Sequence, residues 1–76
     1  MAEKFYIRFR DFEEYRYLGR FGDNDTFLWN ELSEHSLEFN SRELANAFLG
    51  AYLYHRPCEF RLNPEIAGSD SIGEKE

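Results

Sequence analysis

Several short runs in this chain hold residue types that carry chemistry, and each fails on spacing. Asp23-Asn24-Asp25, with Glu34 eleven residues after Asp23, has the outline of an EF-hand calcium loop. The fifth and sixth loop positions would be Phe27 and Leu28, where a ligand and a glycine are needed. The run therefore reads as a hairpin turn. His55 and Cys58, with His35, offer three zinc donors where a structural site takes four. Cys58 with His55 is also the one nucleophile–base pair to consider, but a nucleophile needs an orienting third group and access. Cys58 falls at an inward position of an alternating stretch. Gly19-Arg20-Phe21-Gly22 lacks the lysine and the hydroxyl residue of a phosphate loop. No pair of carboxylates sits in an apolar run that would separate their pKa values. The expectation is a protein without catalytic residues, metal or cofactor, and not an enzyme.

Two groups of surface residues remain. Asp11, Glu13, Glu14, Asp23, Asp25, Glu31 and Glu34 fall in the connections, outside the alternating core pattern. Exposed carboxylates of this kind can engage the Arg and Lys clusters that ordinarily hold phosphate. They also keep a ring-rich protein dispersed. The second group is Tyr6, Arg8, Arg10, Arg16 and Arg20, with Arg61, at the outward positions of predicted strands, against Glu38 and Glu59. An open sheet carrying Arg and an aromatic ring suits single-stranded RNA or DNA. The same residues also serve as an ordinary solvated face with cross-strand ion pairs.

The elements that position these residues follow from periodicity. From Lys4 to Arg10 the chain alternates, with Phe5, Ile7 and Phe9 on one side and Tyr6, Arg8 and Arg10 on the other, which predicts a half-buried strand. Asp11 to Glu14 connects it to a second strand, Tyr15 to Phe21. There Tyr15, Tyr17 and Phe21 take the inner parity, Arg16, Leu18 and Arg20 the outer, and Gly19 marks a bulge or a tight approach. Gly22 to Asp25 is turn chemistry, and Thr26 to Asn30 returns as a third strand with Phe27 and Trp29 inward. Glu31 to Ser36 is open between loop and helical turn. Ser36 to Phe39 reads as a short strand with Leu37 and Phe39 inward and Glu38 outward.

One helix is predicted from Ser41 to His55. Asn40 is its cap, Glu43 closes a capping box, and Phe39 staples onto Leu44. Its inner stripe is Leu44, Phe48, Ala51, Tyr52 and His55, edged by Ala45, Ala47 and Leu49. Pro57 ends it. Cys58 to Leu62 alternates once more as a last strand, with Cys58, Phe60 and Leu62 inward. The order β-β-β-(β)-α-β describes an α+β fold: an antiparallel sheet of four to five strands with one helix on one face. Residues 1–66 form the domain, and 67–76 read as a disordered acidic tail.

Composition sets the remaining bounds. Eight Phe, five Tyr and one Trp in 76 residues are mostly needed inside, because large rings fill a small core efficiently. A single cysteine allows no internal disulfide, so nothing points to an oxidising compartment. The first residues lack a signal-peptide pattern. No apolar run approaches the ~20 residues of a membrane helix. The expected location is the cytoplasm. The net charge is −6, of which −3 falls from Asn63 onward. That balance disfavours simple attraction to nucleic acid and favours a basic partner.

The sequence from Lys4 to Leu62 resembles small accessory proteins of phages and mobile elements, including the anti-CRISPR class. The resemblance rests on a tiny domain with Tyr6, Tyr15, Tyr17 and Trp29 on its first three strands, then Leu37-Glu38-Phe39-Asn40-Ser41-Arg42-Glu43-Leu44-Ala45 opening a helix, then one more strand. It implies a stoichiometric inhibitor that occupies a basic nucleic-acid-binding surface of a defence complex in the host cytoplasm. It carries over no functional residue. The alternatives are a small nucleic-acid-binding module using the Arg/Tyr face, and a homodimer formed through an uncovered sheet edge or face.

Overall fold

The alternation that opens the chain does form a strand, β1, Phe5–Asp11. The computed structural model describes residues 3–22 and 26–73. β1 continues into a meander with β2, Glu14–Phe21, and β3, Thr26–Asn30. The turn expected at Asp23-Asn24-Asp25 lies outside the described residues. The chain then runs across the sheet as α1, Arg42–His55, makes a 3₁₀ turn, Pro57–Leu62, and returns as β4, Glu65–Gly68. A short helix, α2, spans Ser69–Gly73. All strand pairs are antiparallel, in the order β3-β2-β1-β4. The fold is α+β, with the 14-residue helix α1 packed on one face of an open sheet.

Ile7 and Leu18 are fully buried at the centre of that face, in one cluster with Ala45, Leu49, Tyr52 and Leu53 of α1. Phe5, Phe27, Trp29, Phe39 and Phe48 pack around it. The rings meet edge to face, the preferred geometry for aromatic quadrupoles: Phe27 and Phe48 at 5.7 Å, Trp29 and Tyr52 at 6.0 Å. A carboxylate oxygen of Glu59 accepts from both Trp29 Nε1, at 2.8 Å, and the Tyr52 hydroxyl, at 2.7 Å. It ties the 3₁₀ turn to the helix and to β3.

β1 and β2 pair from Arg8 opposite Tyr17 to Asp11 opposite Glu14. Beyond that, residues 35–39 enter between them. Phe5 and Phe39 exchange two main-chain bonds of 2.9 Å, the Leu37 N–H donates to Leu18 O, and the Arg20 N–H donates to His35 O. The expected short strand is thus two single bridges, at Ser36 and Phe39. Leu37 and Phe39 face the helix as expected, and Glu38 faces away. Glu31 to His35 is a loop of bends and a turn. Gly19 is the tight approach its type suggested: a Cβ there would lie 2.8 Å from the His35 carbonyl oxygen.

The structure corrects several expectations. The helix cap is Ser41, whose side chain accepts from the Leu44 N–H at 3.1 Å. Asn40 instead accepts from the Lys4 ammonium. Leu44 is 56% exposed and lies off the buried stripe. The stripe that meets the sheet is Ala45, Phe48, Leu49, Tyr52 and Leu53, with Phe48 partly buried, an i, i+3, i+4, i+7, i+8 set. Ala47, Ala51 and His55 are exposed. Cys58 to Leu62 is not a strand, because Pro57 starts a 3₁₀ turn that Asn63 closes at φ 56°. Cys58 and Phe60 are exposed there, and Arg61 lies off the sheet. The fourth strand comes later, and the domain boundary expected at residue 66 falls inside it. Pairing with β1 orders it: Ile7 lies opposite Ile66, and the Ser69 N–H donates to Lys4 O at 2.7 Å.

Two outcomes test this arrangement. Ser41→Ala should cost about 1 kcal/mol, read as a lower urea midpoint at unchanged slope, while Asn40→Ala costs less than about 0.5 kcal/mol. Burial, then the hydrogen bond to Glu59, pushes the Tyr52 phenol from its ordinary 10.0 to about 12. Between those values the unfolded chain gives up this proton and the folded chain keeps it. The contribution is therefore complete below pH 10 and lost as pH rises toward 12. A stability–pH series on Tyr52→Phe should show a shallower alkaline decline than the wild type.

Candidate interaction site

The register of β2 decides which polar side chains share a surface. Phe9 lies opposite Arg16, and Arg8 opposite Tyr17. Arg16 and Leu18 are therefore on the helix face of the sheet, and Tyr15 and Tyr17 are on the open face with Arg8. This reverses the inner parity expected for β2. Leu18 rather than Tyr17 completes the core, and Arg20 lies opposite Phe27 on the helix side. The Arg/Tyr group is thus split: Tyr6, Arg8 and Arg10 are on the open face, and Arg16 and Arg20 on the other.

The open face holds its arginine tightly. The Arg8 guanidinium stands 3.8 Å from the centroid of the Tyr15 ring, donates to Glu65 at 2.8 Å and donates to the Tyr17 hydroxyl at 3.3 Å. Burial pulls its pKa down, but the bonds to Tyr17 and Glu65 together outweigh that and leave it raised. The Tyr6 hydroxyl donates to Glu38, and burial followed by that bond raises its pKa. Arg10 donates back to the Phe12 carbonyl at 2.8 Å. These groups form a cross-strand network of pairs.

The carboxylates fare differently. Asp11, Glu13 and Glu14 come together at the β1–β2 hairpin, where Asp11 opposite Glu14 leaves Phe12 and Glu13 as the two-residue loop. Arg16 donates to Asp11 at 3.2 Å and lies 3.9 Å from Glu14. Glu31 follows Asn30, which is opposite Tyr17, so it leaves the sheet at this same end. Glu34 belongs to a separate depression with Arg20 and His35. Asp23 and Asp25 lie outside the described residues.

The residue that stands out at the hairpin is Phe12. It is 91% exposed, the most exposed of the large apolar side chains among the described residues. Its φ is 62°. Two-residue hairpin loops favour glycine at such a position, and a bulky residue there is a real outlier. Phe12, Asp11, Glu13, Glu14 and Arg16 line a shallow depression of about 550 Å³. No protein family, curated protein or solved structure matches this chain. The site therefore rests on its own geometry. In the sequence the run Asp11 to Glu14 reads as a polar connection, which hides Phe12. The available signal was a ring in a loop too short to do without glycine or asparagine.

Among the described residues, no group of three or more His, Cys, Asp or Glu is placed to hold a metal ion. No helix there is long and apolar enough to cross a membrane.

Phe12→Gly measures the strain directly. Relief of a left-handed bulky residue is worth roughly 1 kcal/mol, so the variant should melt about 5 °C higher by scanning calorimetry. A lower melting point would mean that the ring supports the fold.

Proposed function

We propose that this chain is a non-enzymatic interaction protein that docks its β1–β2 hairpin, Phe12 first, into a socket with an apolar floor and a basic rim. The observation that carries the reading is Phe12 itself: nearly fully exposed, held at an unfavourable φ and flanked by carboxylates. A buried aromatic anchor supplies most of the energy in many interfaces. Charges around it set orientation and on-rate. Asp11 and Glu14 already share Arg16, and Arg10 lies alongside. The tip is therefore only modestly acidic, and the ring outweighs charge as the source of affinity.

A basic-rimmed socket is a common feature of surfaces that hold nucleic acid. The resemblance to anti-CRISPR proteins names the first partners to test, in the host-cell cytoplasm if the chain is phage-encoded. The partner class is a nucleic-acid-binding site on a defence complex, blocked by occupation and without chemistry.

Pull-down against type I and type II CRISPR effector complexes, in competition with target DNA, tests this. Phe12→Ala should weaken capture by about 30-fold or more, the size of a hot-spot loss. Glu13→Lys with Glu14→Lys should slow association and flatten its salt dependence. Reversing Glu34 should change little. No complex with either effector class removes the defence-complex assignment, and capture indifferent to Phe12→Ala removes the hairpin.

A further inference from the structure

The two edges of the sheet differ in how they are guarded. Main-chain groups alternate in direction along a strand, so fixing one residue fixes the rest. Leu18 and Arg20 bond toward residues 35–37, on the β1 side of β2. Tyr17, Gly19 and Phe21 therefore bond toward β3, to Asn30, Leu28 and Thr26. That leaves the N–H and C=O groups of Phe27 and Trp29 pointing outward at the free edge. Among the described residues, no loop or side chain bonds them.

At the other edge, the same reasoning from the Phe5–Phe39 bonds turns Ile66 and Gly68 outward. There Arg42 donates to Ile66 O at 3.3 Å, Glu65 places a charge in the ladder, and α2 ends the strand. Charged residues and capped groups are how proteins protect edges. β3 has none of these: Thr26-Phe27-Leu28-Trp29-Asn30 is uncharged throughout.

We propose that the β3 edge pairs with β3 of a second copy of this chain. The choice of occupant rests on register and charge. An antiparallel pairing centred on Leu28 places Phe27 opposite Trp29 of the second copy and Trp29 opposite its Phe27. Those are the residues whose main-chain groups point outward, so both become two-bond pairs, and Leu28 opposite Leu28 falls in the non-bonded position between them. The strand is therefore complementary to itself in hydrogen-bond direction.

Side chains agree. Leu28 is 47% exposed on the open face and meets its own copy. On the helix face, Trp29 of the second copy comes beside Phe27, at the rim of an apolar depression of about 320 Å³ that Phe48, Ala51 and Tyr52 also line. A chain of net charge −6 repels its own copies over most approaches. The five paired residues themselves oppose no carboxylates, the acids Asp25 and Glu31 falling just beyond the strand's two ends in the sequence, and cationic Arg56 stands on the wall of the adjoining depression.

Sedimentation of the full chain from about 1 μM to about 1 mM should show a monomer–dimer equilibrium. Leu28→Lys and Leu28→Glu, each alone, set like charges against each other at the symmetry axis and should weaken self-association at least about tenfold. Mixing the two variants should restore a dimer, which only a Leu28-on-Leu28 contact explains. Hydrogen exchange on the wild type gives a reading that does not depend on a variant folding. The Phe27 and Trp29 amides should gain protection as concentration rises, while the Leu28 amide, bonded to β2, stays protected throughout. A monomer at every concentration, with Phe27 and Trp29 amides exchanging at one rate, overturns the proposal and leaves the edge to a foreign strand. Failure of the charge-swapped pair to recombine overturns the symmetric register.

Discussion

Leu18 facing the helix is the constraint on which the rest of the structure depends. Among the described residues it and Ile7 are the large side chains fully removed from solvent, and it sits in the cluster with Ala45 and Leu49. Strand side chains alternate strictly, so this one placement fixes every other residue of β2. It sends Arg16 and Arg20 to the helix side and Tyr15 and Tyr17 to the open side. Peptide groups alternate with the side chains, so the β2 backbone direction is fixed too. The result is a β2 that bonds residues 35–37 through Leu18 and Arg20 and β3 through Tyr17, Gly19 and Phe21.

The open face follows from that choice. Tyr17 and Tyr15 bring large rings to a surface that the helix does not cover, and their hydroxyls keep such placement inexpensive. Arg8 lies across Tyr15 and bonds Tyr17 and Glu65, so a cation becomes the filler between rings. Such partly exposed pairs contribute modestly one by one. Together they cover Tyr17 enough to bury it. A single guanidinium thus joins three strands, β1, β2 and β4, on the face opposite the core.

The sequence made β1, the β2–β3 hairpin strands and the helix legible because each has a run long enough for its period to show. It misled where two periods fit equally well. Tyr15-Arg16-Tyr17-Leu18 alternates with rings on one parity and a lone leucine on the other, and counting rings favours the wrong side. Leucine wins because it has no polar atom to satisfy in a core. Asn40-Ser41 offers two adjacent caps of equal standing, and Leu44 and Leu49 compete for the inner stripe, which Leu49 joins while Leu44 stays exposed. Five alternating residues after Pro57 fit a strand or a 3₁₀ turn, and proline at the first position favours the turn. β4 is four residues long and has no pattern of its own, so only its partner β1 reveals it. At the candidate site the carboxylates were legible as exposed. Their sharing of Arg16 was not, because it depends on the reversed parity of β2.

The hairpin and the β3 edge also constrain each other through strand direction. The β1–β2 loop lies at the end of the sheet where β3 finishes, since Asn30 is opposite Tyr17 and Thr26 opposite Phe21. Antiparallel pairing of two β3 strands brings the end of one against the start of the other. The two β1–β2 hairpins then lie at opposite ends of one continuous sheet. Such a dimer cannot place both rings on neighbouring sockets of a single target. On the proposed docking mode it would gain no avidity from linkage within one target molecule, and two targets per dimer would be the stoichiometry. Self-pairing would then bridge two copies of a partner instead of tightening the grip on one, which sets this geometry apart from an inhibitor that relies on bivalent capture.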